Sequence, residues 1–161
     1  LSYIVMIAAN MLALLLPING QTTAQVAEAY PNLFAPARVT FGIWGVIYFS
    51  LLCFVVYQLW LAFSNKRPET LAHLMLKMKD WFLISSVANA CWLFSWHYHL
   101  IPVSAAIMLM LLVSLLVIHH NFGISITPAT LPEKIFIHFP FSVYLGWIVI
   151  AAMANVAALL V

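Results

Sequence analysis

Apolar residues fill five long segments of the chain, and polar or proline-containing segments separate them. A helix that crosses a bilayer needs about 20 apolar residues at a rise of about 1.5 Å each. The pattern therefore predicts five transmembrane helices, at about residues 1–16, 38–63, 81–97, 102–120 and 134–161. A long loop joins helices 1 and 2. Within it, "TTAQVAEAY" predicts a short helix capped by Thr22 or Thr23.

Composition assigns this pattern to a membrane. The chain is 66% hydrophobic and 6% charged, whereas soluble domains carry about 25% charged residues. We therefore expect an all-α integral membrane protein, with residues 1–161 forming one five-helix transmembrane domain in contact with lipid. Both ends fall within apolar sequence, which is compatible with trimming from a longer chain at one or both ends. A net charge of +2 is too small to suggest nucleic-acid binding.

The basic residues predict the orientation of the bundle. Four of the six lie between residues 64 and 79, and basic residues near helix ends favour the cytoplasm. The basic loop 64–79 is therefore predicted to be cytoplasmic, in a multi-pass protein. Trp60 and Trp81 flank this loop, and Trp96 and Tyr98 lie near the opposite side. These four are predicted to anchor the helices at the two membrane interfaces.

Three other tryptophans lie too deep for the interfaces. Trp44 is six residues beyond Arg38, roughly 9 Å along its helix, and Trp92 lies at a similar depth on the same side. Trp147 is thirteen residues beyond Lys134, roughly 20 Å from the opposite side. All three are therefore predicted to lie in the half of the membrane beneath the first loop.

Helical spacing places each of these tryptophans on one face of its helix together with tyrosine or asparagine. The stripes are Trp44 and Tyr48 in helix 2, Asn89, Trp92 and Trp96 in helix 3, and Tyr144, Trp147, Ala151 and Asn155 in helix 5. Amides in hydrocarbon are costly unless they face protein or a cavity. Asn10, Asn89 and Asn155 are therefore predicted to point inward, together with the aromatic rings on their faces.

Two interpretations of this aromatic level remain open. One is a filled aromatic core in which asparagine hydrogen bonds join the helices. The other is a cavity lined by Trp and Tyr and roofed by the first loop. Stacking walls with a few hydrogen-bond donors suit a flat, mostly apolar ligand.

The stripes resemble those of the translocator protein or tryptophan-rich sensory protein (TspO/MBR) family. In helix 5 the resemblance covers the family's Y-x-x-W-x-x-x-A-x-x-x-N pattern, and helices 2 and 3 match W-x-x-x-Y and N-x-x-W. Val143 stands where the family has a proline before this tyrosine. In helix 2 the sequence "FGIW" lacks the proline that the family has there. We interpret the chain as a divergent member.

The resemblance implies a fold and a ligand. Family members are five-helix bundles described as binding porphyrins and haem, and in eukaryotes cholesterol, in a pocket beneath the first loop. Some are linked to light- and oxygen-dependent degradation of tetrapyrroles. By resemblance, the ligand-binding residues are Trp44, Tyr48, Asn89, Trp92, Tyr144, Trp147, Ala151 and Asn155. A porphyrin or haem would be a ligand and not a required cofactor, and a homodimer is compatible with the family.

Other chemistry finds little support in the sequence. His97 and His99 have no carboxylate or cysteine nearby in sequence that would complete a metal site. All four acidic residues lie in loops or at helix ends, which argues against ion-coupled transport and hydrolytic chemistry. The expected function is that of a receptor-like binding protein for a flat hydrophobic ligand, with no catalytic residue assigned and enzymatic turnover left open. The alternatives are a structural bundle with a filled aromatic core and a passive lipid or porphyrin transporter.

Overall fold

The computed structural model describes residues 2–15, 18–31, 34, 37–64 and 68–160, and these residues contain helices but no strand. The helices are α1 (Ser2–Leu15), α2 (Thr23–Glu28), α3 (Ile43–Ser64, after a 3₁₀ turn at Arg38–Gly42), α4 (Pro68–Met78), α5 (Trp81–His97), α6 (Ile101–Asn121) and α7 (Leu131–Leu159). The all-α prediction is confirmed for this part of the chain.

Three of these helices are long and apolar enough to cross a membrane. They are Arg38–Ser64, Ile101–Asn121 and Leu131–Leu159. Helix α5 has 17 residues and the described part of α1 has 14, so both are shorter than these three. The structure thus supports a membrane protein, whereas five spans stay a prediction.

The short helix in the first loop is confirmed, including its cap. The Thr22 hydroxyl accepts a hydrogen bond from the Gln25 backbone N–H at 3.3 Å, and the Gln25 side chain accepts one from the Thr22 N–H at 2.8 Å. This reciprocal pair satisfies two N–H groups that the first turn of a helix otherwise leaves unpaired. The sequence therefore fixes the start of α2 locally.

The basic connection between residues 64 and 79 was predicted as a loop, but it contains a helix. Residues 68–78 form helix α4, in which Leu74 and Met78 are buried and the opposite side is exposed. Glu69 lies in the first turn and Lys77 in the last, where each charge interacts favourably with the helix dipole. Leu74 and Met78 lie one helical turn apart on the face that packs against the bundle, and the Asn121 amide also donates a hydrogen bond to the Lys77 carbonyl at 2.9 Å.

The bundle is built around α5. This helix packs most extensively on α6 and also on α1, while α6 packs on α7. Phe54, Phe82 and Phe141 form a layer between α3, α5 and α7, with ring centroids 5.0–6.0 Å apart in edge-to-face pairs. We call these three rings the Phe layer. It fills the bundle interior on the side nearer α4, and the deep tryptophans Trp44, Trp92 and Trp147 lie on the side nearer α2.

Candidate functional site

A chain of hydrogen bonds joins three helices through Asn10 and Asn89. The Asn10 amide donates to the Asn89 side-chain oxygen at 2.8 Å, and the Asn89 amide donates to the Tyr144 hydroxyl at 3.0 Å. Asn89 and Tyr144 are fully buried. The predicted inward orientation of these two amides is therefore confirmed, because each finds a protein partner.

A second polar group forms around Asn155. Its side-chain oxygen accepts hydrogen bonds from the Trp92 indole N–H at 3.2 Å and from the Ser104 hydroxyl at 2.6 Å. Its amide donates to the Ala151 carbonyl at 2.9 Å. Helices α5, α6 and α7 meet here. Ser104 was not among the predicted site residues, because its helix carries no aromatic stripe. It is a hydroxyl residue in the first turn of α6, and it supplies the buried donor that Asn155 needs.

Trp44 stands at the centre of the aromatic level. Its ring stacks on Tyr48, with centroids 5.4 Å apart and an interplanar angle of 18°. The rings of Trp92, Tyr144 and Trp147 surround it at 6.0–6.2 Å, the last two nearly edge-on. These distances lie in the range of favourable aromatic contacts. The prediction that the three deep tryptophans share one level is confirmed.

Trp44 also separates two cavities of very different size. The smaller lies towards Trp147, Ala151 and Asn155 and has a volume of about 30 Å³, which is space for little more than a water molecule. The larger lies between α1, α2 and α3 and has a volume of about 510 Å³. The aromatic level is thus filled on one side of Trp44 and open on the other.

The predicted site residues divide between these cavities. Trp44 and Trp92 line both, Tyr48 lines only the larger one, and the α7 residues Trp147, Ala151 and Asn155 line only the smaller one. The two remaining predicted residues, Asn89 and Tyr144, line neither of the two cavities and hold helices together. The structure therefore links all eight residues through ring contacts and hydrogen bonds but gives them different surroundings.

Helix α1 and the start of α3 supply most of the larger cavity's remaining wall. The additional lining residues are Ile7, Asn10, Met11, Ala13, Thr22, Thr23, Ala24, Arg38, Phe41, Gly42, Gly45 and Leu93. A Cβ atom added at Gly42 or Gly45 would have no neighbour within 4 Å. Gly42, in the "FGIW" segment that lacks the family's proline, and Gly45 therefore leave open space beside Trp44.

Two polar side chains differ in how they meet the larger cavity. The Tyr48 hydroxyl is buried close to the Asn89 amide, but it has no hydrogen-bond partner of suitable geometry in the part of the chain that the structure describes. Arg38 lies at the opposite end, at the start of the 3₁₀ turn. It donates hydrogen bonds to both carboxylate oxygens of Glu28, at 2.8–3.0 Å.

The first loop is held over the cavities by contacts with the end of α5. The His99 ring shares hydrogen bonds with the Tyr30 hydroxyl and the Gln21 side chain, both at 2.9 Å. The Trp96 indole N–H donates to the Thr23 carbonyl at 3.2 Å. The predicted roof is therefore confirmed, since α2 lines both cavities.

This roof corrects the prediction for Trp96, which is no interfacial anchor. The ring is 4% exposed and stacks on Trp92 with centroids 6.1 Å apart. Its position on the inward stripe of Asn89 and Trp92 was the stronger signal. The neighbouring His97 and His99 do not come together with acidic or cysteine ligands: the described residues contain no group of three or more His, Cys, Asp or Glu that could hold a metal ion.

A family model described as TSPO-like protein matches residues 1–161. The chain belongs to this family. The match spans all the elements that build the aromatic level and its roof, and it confirms the resemblance to the TspO/MBR family seen in the helix stripes. Membership also indicates a membrane protein of a ligand-binding or transport kind. No curated protein and no solved structure matches the chain.

Proposed function

We propose that this TSPO-like protein is a receptor-like membrane protein that binds a flat hydrophobic ligand of the porphyrin or haem type. The ligand occupies the larger cavity, against the face formed by Trp44, Tyr48 and Trp92. The observation that carries the proposal is this cavity of about 510 Å³ beside stacked aromatic rings. Pockets for organic ligands commonly measure about 300–1,000 Å³ and have mostly apolar walls with a few polar groups.

The aromatic rings in the wall of the cavity favour a flat ligand over a compact one. Trp44 stacks on Tyr48 with an interplanar angle of 18°, and Trp92 lies beside Trp44 at an interplanar angle of 31°. A planar ligand placed against these rings gains apolar burial and aromatic contacts. The side chains of α1 and the roof helix α2 then cover its other face.

The proposal has four further parts, which concern the number of spans, the orientation, the lipid contacts and the oligomer. Helices α1 and α5 complete a bundle of five spans, because 17 residues reach about 25 Å at the helical rise and α1 packs along α5. The basic segment 64–79 lies on the cytoplasmic side, following the distribution of Lys and Arg. Lipid surrounds the outward faces of the helices, and the protein forms homodimers.

The filled-core alternative describes one side of Trp44, where the cavity is about 30 Å³. It does not account for the open space on the other side, which a purely structural bundle would close by packing. A passive transporter of lipid or porphyrin would need a route past the Phe layer. A flux assay in vesicles separates this alternative from a receptor, because a receptor binds without moving its ligand across the bilayer.

Titration of the detergent-purified protein with protoporphyrin IX tests the proposed function. We expect saturable binding, followed by the Soret absorbance band and by quenching of Trp fluorescence. Trp44→Phe should weaken binding by about fivefold, since part of one aromatic contact is lost. Trp60→Phe is the matched control, because Trp60 is half exposed and lines neither cavity. Quenching without saturation, or an equal effect of both variants, would refute the proposal.

Degradation of the bound ligand is a separate activity with its own test. The purified complex is illuminated in air and its porphyrin absorbance is followed over time, with a nitrogen-flushed sample as the control. Loss of absorbance that requires light, oxygen and the native Trp44 would assign turnover to this site. Unchanged absorbance would define the protein as a binder.

A further inference from the structure

Arg38 is the charged side chain among the described residues that line the larger cavity. The rest of the lining is apolar or neutral, and the opposite end holds Asn10 and Tyr48. A ligand that fills this cavity therefore meets a cation at one end only. This asymmetry carries information about the ligand's own chemistry, because a charged group close to an apolar cavity attracts the opposite charge.

The present partner of Arg38 is well placed but weakly held. Its guanidinium makes a bidentate contact with Glu28 at 2.8–3.0 Å, which is the geometry that Arg makes with any carboxylate. The two side chains are 70% and 52% exposed. Water screens such a pair, so it contributes little to stability. A second carboxylate can therefore take the place of Glu28 at small cost.

We infer that the ligand of this cavity carries a carboxylate, and that Arg38 selects it by exchanging the carboxylate of Glu28 for that of the ligand. This inference rests on the proposed function and narrows it to acidic flat ligands. The apolar body lies against Trp44, and the acid group projects to the start of α3, where water and Arg38 solvate it. A neutral ligand of the same shape gains the stacking but not the ion pair.

Two ligands and three variants test the inference. Protoporphyrin IX carries two carboxylates, and its dimethyl ester has the same ring without the negative charge. We expect the unmodified protein to bind the diacid more tightly than the diester. Arg38→Gln should weaken diacid binding by about threefold to tenfold, as expected for a partly screened charge-assisted hydrogen bond, and leave the diester unchanged. Lys79→Gln removes the same charge far from the cavity and should change neither.

Glu28→Gln should change the affinity for the diacid in the opposite direction from Arg38→Gln. This variant distinguishes an exchange of carboxylates on Arg38 from simple attraction of the ligand to Arg38. This variant frees Arg38 from its competitor, so the diacid should bind about twofold to fivefold more tightly while the diester does not respond. A structural role for the ion pair predicts instead that Glu28→Gln and Arg38→Gln impair both ligands alike.

The outcomes distinguish this inference from the function on which it rests. Equal affinity for diacid and diester, or equal loss of both in Arg38→Gln, overturns the carboxylate inference and leaves porphyrin binding intact. Weaker diacid binding by Glu28→Gln overturns the exchange. If neither porphyrin binds to the unmodified protein, the proposed function fails and the inference fails with it.

Discussion

Filling the larger cavity from its wall should weaken ligand binding strongly without harming the fold. Gly45 lines this cavity in the first part of α3, and a Cβ atom there would have no neighbour within 4 Å. Gly45→Leu therefore adds a branched apolar side chain to space that is otherwise open to the ligand. Since glycine is a poor helix residue, leucine should leave the free energy of unfolding unchanged or raise it by up to about 1 kcal/mol.

The expected loss of affinity follows from the volume that the new side chain takes. A ligand displaced from that space loses contacts comparable to the burial of one aliphatic side chain, about 1.5–3 kcal/mol. This corresponds to a dissociation constant for protoporphyrin IX that is about tenfold to a hundredfold higher. The affinity for protoporphyrin IX should thus fall while the free energy of unfolding does not. General damage to the bundle would lower both.

Gly146→Leu provides the matched control for this experiment. Gly146 lies in the middle of α7, also without a neighbour within 4 Å of an added Cβ, and it lines neither cavity. Soret titrations give the dissociation constants, and denaturant unfolding in detergent gives the stabilities. Unchanged affinity in Gly45→Leu, or the same loss in Gly146→Leu, would refute the location of the ligand in the larger cavity.

Two further predictions concern the groups that hold the site together. Asn89→Ala removes the partner of the Asn10 amide and the donor to Tyr144, so the free energy of unfolding in detergent should fall by about 1–2 kcal/mol; an unchanged unfolding midpoint would contradict the bridging role. His99→Ala removes two contacts of the first loop, so stopped-flow measurements should show porphyrin leaving the protein severalfold faster. A release rate equal to that of the unmodified protein would show that the loop does not limit exit.

The inward sides of α1, α5 and α7 could be predicted from the sequence because each carries an asparagine that needs a hydrogen-bond partner. Asn89 and Asn155 each need a partner in an apolar medium, and the rings spaced three or four residues from them must share their face. Trp96 shares a face with Asn89, so the same reasoning places it inside the bundle. The general preference of tryptophan for membrane interfaces led to the wrong prediction for this residue. Spacing relative to a buried amide was the more reliable guide.

The position of the open space could not be predicted in this way. Whether Trp44 leaves room towards Trp147 or towards α1 depends on its rotamer and on the angle between helices, and spacing along one chain contains neither. Helix α4 escaped prediction for a different reason. Its basic residues indicate membrane orientation and not secondary structure. Its buried residues, Leu74 and Met78, form too short a pattern to distinguish a helix from a polar loop.

The Phe layer fills the bundle interior on the α4 side of the aromatic level. Phe54 is fully buried and Phe82 and Phe141 contact it, so these rings occupy the bundle interior between the aromatic level and the side nearer α4. Under the proposed function, a ligand held beneath the first loop has these three rings between it and the α4 side of the bundle interior. The rings would have to separate before the ligand could cross the interior, so the Phe layer is the barrier that distinguishes a binding site from a passage.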